Sequence, residues 1–181
     1  MTLSLLGICG SQRKASINRV LLNVIGEVLP ADVTFAIWDS LDLPIFSSDR
    51  GETAEITALK TAIANADGVI FAVPEYNYSI PGGLKNALDW ISSPPARSPL
   101  RGKPAGIVGA TSGMSGTIRA QIHMRQILLF SDSPVLNQPE VLIPRAHERF
   151  VDGVLVDEST RQLLARFAET LVAFVQRHRA S

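Results

Sequence analysis

Cysteine is almost absent: Cys9 is the single one in 181 residues. One thiol excludes an internal disulfide and a cysteine-rich metal site, and it suits a reducing compartment. The three histidines, His123, His147 and His178, are scattered, and no pair has the H-E-x-x-H spacing of a metal site. Net charge is lacking too, with 17 lysine plus arginine against 17 aspartate plus glutamate. A chain without a charge excess has no electrostatic case for a nucleic-acid or anionic-membrane partner. No apolar run reaches the roughly 18 residues of a membrane span. The apolar start, Met1 to Cys9, has its basic residues, Arg13 and Lys14, behind it rather than ahead, which is not the order of a signal peptide. A soluble, cytoplasmic protein is expected.

What the chain does have is 46% hydrophobic and 19% charged residues, ample for a real core. Its length fits a single domain, residues 1–181, with no repeat or linker. Short apolar runs alternate with amphipathic segments. Strands are predicted over 3–9, 33–38, 68–73, 104–110 and 134–136. Helices are predicted over 17–29, 53–66, 83–92, 117–130 and 160–179, each with apolar residues at helical spacing. The last carries Arg177 and Arg179 in its final turn, where cations suit the helix dipole. Apolar strands without alternation read as buried on both faces. The expected fold class is therefore α/β, a three-layer, doubly wound parallel sheet of five strands in the flavodoxin-like order 2-1-3-4-5.

Such sheets bind ligands beyond the carboxyl ends of their strands. The loops after the first, third and fourth strands are the unusual ones here. The first, from Gly10 to Asn18, runs from a strand into a helix, so backbone N–H groups and the positive end of the dipole meet at its mouth. Ser11, Ser16 and Asn18 add neutral donors and Arg13 a charged one, which makes a phosphate cradle. The plainer reading is a helix start capped by Ser16 or Asn18. Neither the G-x-G-x-x-G pattern nor a Walker loop occurs, which favours a mononucleotide. The second loop, Pro74-Glu75-Tyr76-Asn77-Tyr78-Ser79-Ile80-Pro81-Gly82, sets two aromatics, an amide and a carboxylate between prolines. That is a stiff surface for a planar heterocycle. The third, Thr111 to Gly116, has glycines that allow close backbone approach, a weaker sign.

These residues resemble the NADPH-dependent FMN reductase family. The resemblance rests on G-S-x-R-x-x-S-x-N from Gly10 to Asn18, on Pro74 to Gly82 followed by Leu84-Lys85-Asn86-Ala87-Leu88-Asp89-Trp90, and on Arg119-Ala120-Gln121. It covers nearly the whole chain and is strongest toward bacterial quinone and chromate reductases of flavodoxin-like fold. It implies FMN as cofactor, with NADPH or NADH as co-substrate. Ser11, Arg13, Ser16 and Asn18 would hold the FMN phosphate, with Ile17 among the binding positions. Pro74, Glu75, Tyr76 and Asn77 would lie against the isoalloxazine, and Ser112 and Gly113 along its other edge. In one respect the chain departs from the pattern. Relatives often carry a second glycine after the one matching Gly116, where this chain has Thr117. Small-molecule acceptors, such as quinones, free flavin, chromate or azo compounds, follow from the same resemblance. Ping-pong turnover follows too, and no side chain is required as a nucleophile or general base.

Two other classes remain: a flavodoxin-like FMN electron carrier without a nicotinamide site, and a serine hydrolase. Zero net charge is unlike the strongly acidic carriers, and no G-x-S-x-G elbow occurs. Cys9 reads as a small buried hydrophobe and Lys85–Asp89 as a solvated i,i+4 pair. Asp39, Asp42 and Asp49 read as solvated loop carboxylates. The 117–130 helix shows one apolar stripe of Ile118, Ile122 and Leu129, expected to face the sheet. A second group, Met124, Ile127 and Leu128, points to a partner surface, with Tyr78 and Trp90 as possible contributors. A homodimer or homotetramer is the expected assembly.

Overall fold

A computed structural model of the chain describes residues 2–38 and 40–179. Met1 and Asp39, which belong to readings made above, lie outside the described residues. Five parallel strands form one sheet in the order β2-β1-β3-β4-β5: β1 Leu3–Cys9, β2 Val33–Trp38, β3 Gly68–Ala72, β4 Ala105–Ala110 and β5 Val141–Ile143. Ile8 lies opposite both Trp38 and Phe71, which places the carboxyl ends of the three strands beside one another. The expected order and class are therefore borne out. Central β1, β3 and β4 are almost wholly buried, while edge strand β2 alternates between half-buried and exposed residues.

Alternation along the strands divides the core in two. Helices α1 (Ile17–Val28) and α6 (Glu158–Arg179) pack on Leu5, Ile70 and Val108 on one face. Helices α2 (Ala54–Asn65), α3 (Gly82–Ile91) and α4 (Ile118–Phe130) cover Ile8, Phe71 and Ile107 on the other. The helical spacing read from the sequence is where burial occurs: Ile56, Leu59 and Ile63 on α2, Leu84, Leu88 and Ile91 on α3, and Leu164, Phe167 and Leu171 on α6. Cys9 is buried, and Lys85 and Asp89 form a half-exposed pair.

Three expectations are corrected. The fifth strand is Val141–Ile143, not 134–136. Residues 134–136 touch the sheet only at its other end: Ala105 N donates to Pro134 O, and Leu136 N donates to Ala105 O. The edge beside β4 is thus made of two separate pieces. Beyond β5 come a short helix α5 (Ala146–Arg149) and a small hairpin of β6 (Phe150–Val151) and β7 (Val154–Leu155), none of which the sequence signalled.

Helix α4 is turned about its axis from the orientation expected. Ala120, Gln121, Met124 and Leu128 face the sheet, whereas Ile118, Ile122 and Leu129 are exposed at 39%, 57% and 77%. Polar residues disguise the buried face. Gln121 Nε2 donates to Thr117 Oγ1 (3.1 Å) and to Val141 O (2.9 Å), so the amide is paired inside the core. Trp90, assigned above to a partner surface, is instead buried. Its Nε1 donates to Pro44 O (2.7 Å), and its ring meets Phe46 edge-on at 5.0 Å.

Candidate active site

Helix α1 begins directly below the first loop. Ser16 is its N-cap: its hydroxyl accepts from Arg19 N (3.4 Å), and its carbonyl accepts from Arg19 N and Val20 N. The N–H groups of Ile17 and Asn18 in the first turn have no acceptor within the helix, so they are ready anion donors. The capping reading and the cradle reading are thus compatible, since the cap leaves the Ile17 and Asn18 N–H groups without an acceptor in the helix. Asn18 is buried, and its carboxamide clamps β4: Nδ2 donates to Ala110 O and Oδ1 accepts from Ala110 N, both at 3.0 Å. That pair fixes the mouth of α1 against the end of β4. Arg13 is exposed at the loop's crest, and Arg13 N donates to Ser11 Oγ (3.3 Å).

The second loop is a tight reversal. Tyr76 N donates to Ser79 O (2.9 Å) and Ser79 N to Tyr76 O (3.0 Å), with Asn77 and Tyr78 at φ of 49° and 65°. Two positive φ values in the centre make a type I′ turn, which asparagine tolerates well and tyrosine poorly. Tyr78 is held there by the Arg119 guanidinium, 4.3 Å from its ring centre. Ser79 Oγ lies 3.0 Å from His123 Nδ1, a second tie to α4.

The third loop ends in an unusual helix start. Thr117, the N-cap position of α4, sits at φ 68°, and its side chain makes no capping bond. A glycine would take that backbone more readily, so the departure from the family pattern falls where it costs most. Gly109 leaves room for the Thr117 side chain, because a Cβ there would stand 1.9 Å from Thr117 Oγ1.

Together these loops enclose an open cleft of about 360 Å³ at the carboxyl ends of the strands. Ser11, Arg13, Ser16, Ile17, Asn18, Pro74, Glu75, Tyr76 and Ser112 all line it. Asn77 and Gly113 stand outside its wall: Asn77 is at the turn's tip, and the Gly113 carbonyl accepts from Arg145 N (2.9 Å). The cleft also has lining that the sequence reading missed, namely Ala15, Ala110, Thr111, Ala146 and His147. The α5 turn is pinned there by Ala146 N donating to Thr111 O (2.9 Å). A larger hollow, about 810 Å³, lies at the opposite end of the sheet beside Gly102, Pro134 and His178. It touches none of the three loops.

The donor set of the cleft suits FMN. One end offers a helix N-terminus, two serine hydroxyls and an arginine, which match a phosphate. The other end offers Pro74, the Tyr76 ring and the small residues Ala110 and Ser112, a surface with room for a flat ring.

The NADPH-dependent FMN reductase family model matches residues 3–148. The chain belongs to that family. It is 40% identical over 181 residues to an NAD(P)H-dependent FMN reductase of Pseudomonas aeruginosa, covering 98% of this chain and 97% of that one. It is 38% identical over 183 residues to a quinone reductase of Escherichia coli, covering 97% and 96%. Among solved structures it superposes on the flavoenzyme NAD(P)H:(acceptor) oxidoreductase FerB of Paracoccus denitrificans with a TM-score of 0.88. That pair shares 30% identity over 97% of this chain and 98% of that one. The chain is an FMN-dependent oxidoreductase whose reductant is a reduced nicotinamide. Among the described residues no helix is long and apolar enough to cross a membrane.

Proposed function

We propose that this oxidoreductase oxidises NAD(P)H and reduces quinones, in two half-reactions that use the same cleft in turn. The cleft itself carries the reading, since a phosphate cradle and a flat-ring surface face each other across one open mouth. Bound FMN would supply the two-electron chemistry, taking hydride from the nicotinamide and releasing it to the acceptor.

The protein's share is binding and positioning. Arg13 and the first-turn N–H groups of Ile17 and Asn18 neutralise the phosphate, aided by the Ser11 and Ser16 hydroxyls. Asn18 keeps that helix start in register with β4 through its paired bonds to Ala110. Pro74, Glu75 and Tyr76 support the ring from one side, and Ser112 borders it from the other. Asn77 and Gly113 contribute by shaping the backbone of the two ring-side loops. A single open mouth would admit one nicotinamide or one acceptor at a time to bound FMN, which supports ping-pong kinetics. The same openness favours several small acceptors, with quinones first and free flavin, chromate and azo compounds behind.

We further propose a cytoplasmic location, which the single buried cysteine, Cys9, would suit. A homodimer or homotetramer is proposed on the exposed apolar face of α4, which nothing within the chain covers among the described residues. Steady-state oxidation of NAD(P)H at several concentrations of a benzoquinone tests the reaction. Parallel double-reciprocal lines are expected. A protein that binds FMN but turns over no nicotinamide would leave only an electron carrier.

A further inference from the structure

A second recess, also about 360 Å³, lies across the first loop from the flavin cleft, between the carboxyl ends of β1 and β2. Among the described residues its polar lining is Ser11, Gln12, Arg13, Lys14, Arg19, Ser40 and Asp42. Arg13 borders both cavities, whereas Lys14 borders only this one. Both side chains are exposed, and among the described residues neither has a hydrogen-bond or ion-pair partner. Arg19 adds positive charge while its Nη2 donates to Trp38 O (3.2 Å). No aromatic ring lines the described wall, so nothing there stacks a heterocycle. The site suits a compact anion. Two cations side by side on one loop, with neutral donors around them, match a phosphomonoester.

Two phosphomonoesters belong to this chemistry: the FMN phosphate and the 2′-phosphate of NADPH. The first is matched by the N-terminus of α1, inside the other cavity. The second has no cation left for it there, since among the described residues Arg13 is the only lysine or arginine lining that cavity. In dinucleotide-binding sheets, whose first helix holds the pyrophosphate, the ribose 2′ position is read beyond the second strand, a carboxylate favouring the hydroxyl and an arginine the phosphate. Here the first helix is given to FMN, so only the charge logic carries over. Arg50 and Arg101, the other arginines that could meet such a group, stand away from this recess. Arg101 lies at the far end of the sheet, and the Arg50 guanidinium donates to Ile45 O.

We infer that this recess receives the 2′-phosphate of NADPH and that Lys14 sets the preference for NADPH over NADH. Asp42, across the recess, opposes that preference. The inference rests on the NAD(P)H-oxidising reading above, and its test separates the two. Binding of adenosine 2′,5′-bisphosphate and of AMP to the FMN-loaded protein is measured by calorimetry. Alongside it, KM values for NADPH and NADH and the FMN affinity are determined.

The bisphosphate is expected to bind about tenfold tighter than AMP, the size of one charge-assisted bond. Lys14→Ala should abolish that difference and raise KM for NADPH by a similar factor. NADH kinetics and FMN affinity should stay as they were. Asp42→Asn should move KM for NADPH the other way. Equal binding of bisphosphate and AMP overturns the inference, whatever the turnover. So does a Lys14→Ala protein whose FMN affinity falls while both nucleotides suffer alike, since the recess would then serve the flavin phosphate. If the bisphosphate preference is present and depends on Lys14, yet neither nucleotide is oxidised, the anion site stands and the reaction reading fails.

Discussion

Glu75 caps helix α4 from outside its own segment. One carboxylate oxygen accepts from Arg119 N and the other from Arg119 Nη1, both at 3.1 Å. The cap is supplied from the second loop because Thr117, the residue at the helix start, cannot give it with its backbone at φ 68°. Glu75 has only 8% of its side chain exposed, and Arg119 spends its free face on Tyr78. A carboxylate that reads in sequence as a ring contact is therefore also the bolt between two loops of the cleft.

The two partners should differ on mutation. Glu75→Ala removes the ion pair and the cap together and should cost about 1–2 kcal/mol of stability. Arg119→Ala keeps the backbone N–H on the carboxylate and loses a half-exposed ion pair, about 0–1 kcal/mol, together with the exposed contact to the Tyr78 ring, about 0.5–1 kcal/mol. Urea denaturation of both variants gives the order. Equal losses would show that the backbone cap contributes no more than the Arg119–Tyr78 contact.

Thr117 offers a test of backbone strain. Thr117→Val keeps the β-branched shape at positive φ but removes the oxygen that pairs with Gln121 Nε2. A buried N–H left unpaired should cost about 1–3 kcal/mol. Thr117→Gly loses the same bond yet relieves a strain of order 1–3 kcal/mol, so it should be the milder change. Thermal melts that rank glycine below valine would remove strain from the explanation.

Most of the architecture was legible because the signals were local and redundant. Leu59 and Ile63 at helical spacing, or the unbroken apolar run from Val69 to Val73, have one physical solution each. The failures came where pairing at a distance replaced pattern. Val141–Ile143 and 134–136 are both three residues long, one followed by Pro144 and the other beginning with Pro134, so local pattern does not separate them, and the ladder to β4 decides. The roll of α4 was misread because Thr117 and Gln121 satisfy each other inside the core, which hydropathy counts as surface. His147 entered the cleft from a helix of four residues that follows the misplaced strand, and no local pattern announces that. The first-loop residues of the cleft wall were easier, since Ser11, Arg13, Ser16, Ile17 and Asn18 lie within eight positions of one strand-to-helix turn.

Arg13 is the only cation in the cleft wall, exposed and without a protein partner among the described residues. If it holds the flavin phosphate, Arg13→Ala should weaken FMN binding by about 1.5–3 kcal/mol, the range for hydrogen bonds to a charged group. Fluorescence titration of the FMN-free protein measures it. Arg13→Lys should recover part of the loss, because the charge returns without the planar fork. Unaltered affinity in both variants would move the phosphate elsewhere.

Asp157 is expected to contribute to the acid limb of stability. Hydrogen bonds from the hydroxyls of Ser159 (2.6 Å) and Thr160 (2.6 Å), and from Thr160 N (2.7 Å), hold its carboxyl well below the usual carboxylate range, with Arg149 adding a smaller pull. A folded-state value depressed below the unfolded 3.8 contributes stability above about that pH, which is lost as pH falls through the folded value. Asp157→Asn should therefore lower stability at neutral pH and flatten its decline in acid. The group is about one-third exposed, so solvent limits the size of the effect. Denaturation midpoints at several pH values from 2 to 7 should converge for wild type and variant at the acid end. Parallel curves would assign the acid limb to other carboxylates.

The exposed face of α4 offers a test of the proposed assembly. Ile122, Leu129 and Phe130 are 57%, 77% and 69% exposed, and Tyr78, on the flavin-side loop, is 67% exposed. Single exposed apolar residues need no explanation, but a run along one helix does. Twofold pairing of this face would bury the run against its own copy and bring Tyr78, with the rim of the cleft, toward the boundary. Ile122→Glu separates the possibilities because the residue contributes little to the monomer's core. On a monomer it should change stability by no more than about 0.5 kcal/mol. In a dimer or tetramer it places two like charges against each other across the axis and should yield a particle near 19.5 kDa by light scattering. A wild-type particle already at that mass, holding FMN and turning over at full rate, would show that the α4 face serves no self-association.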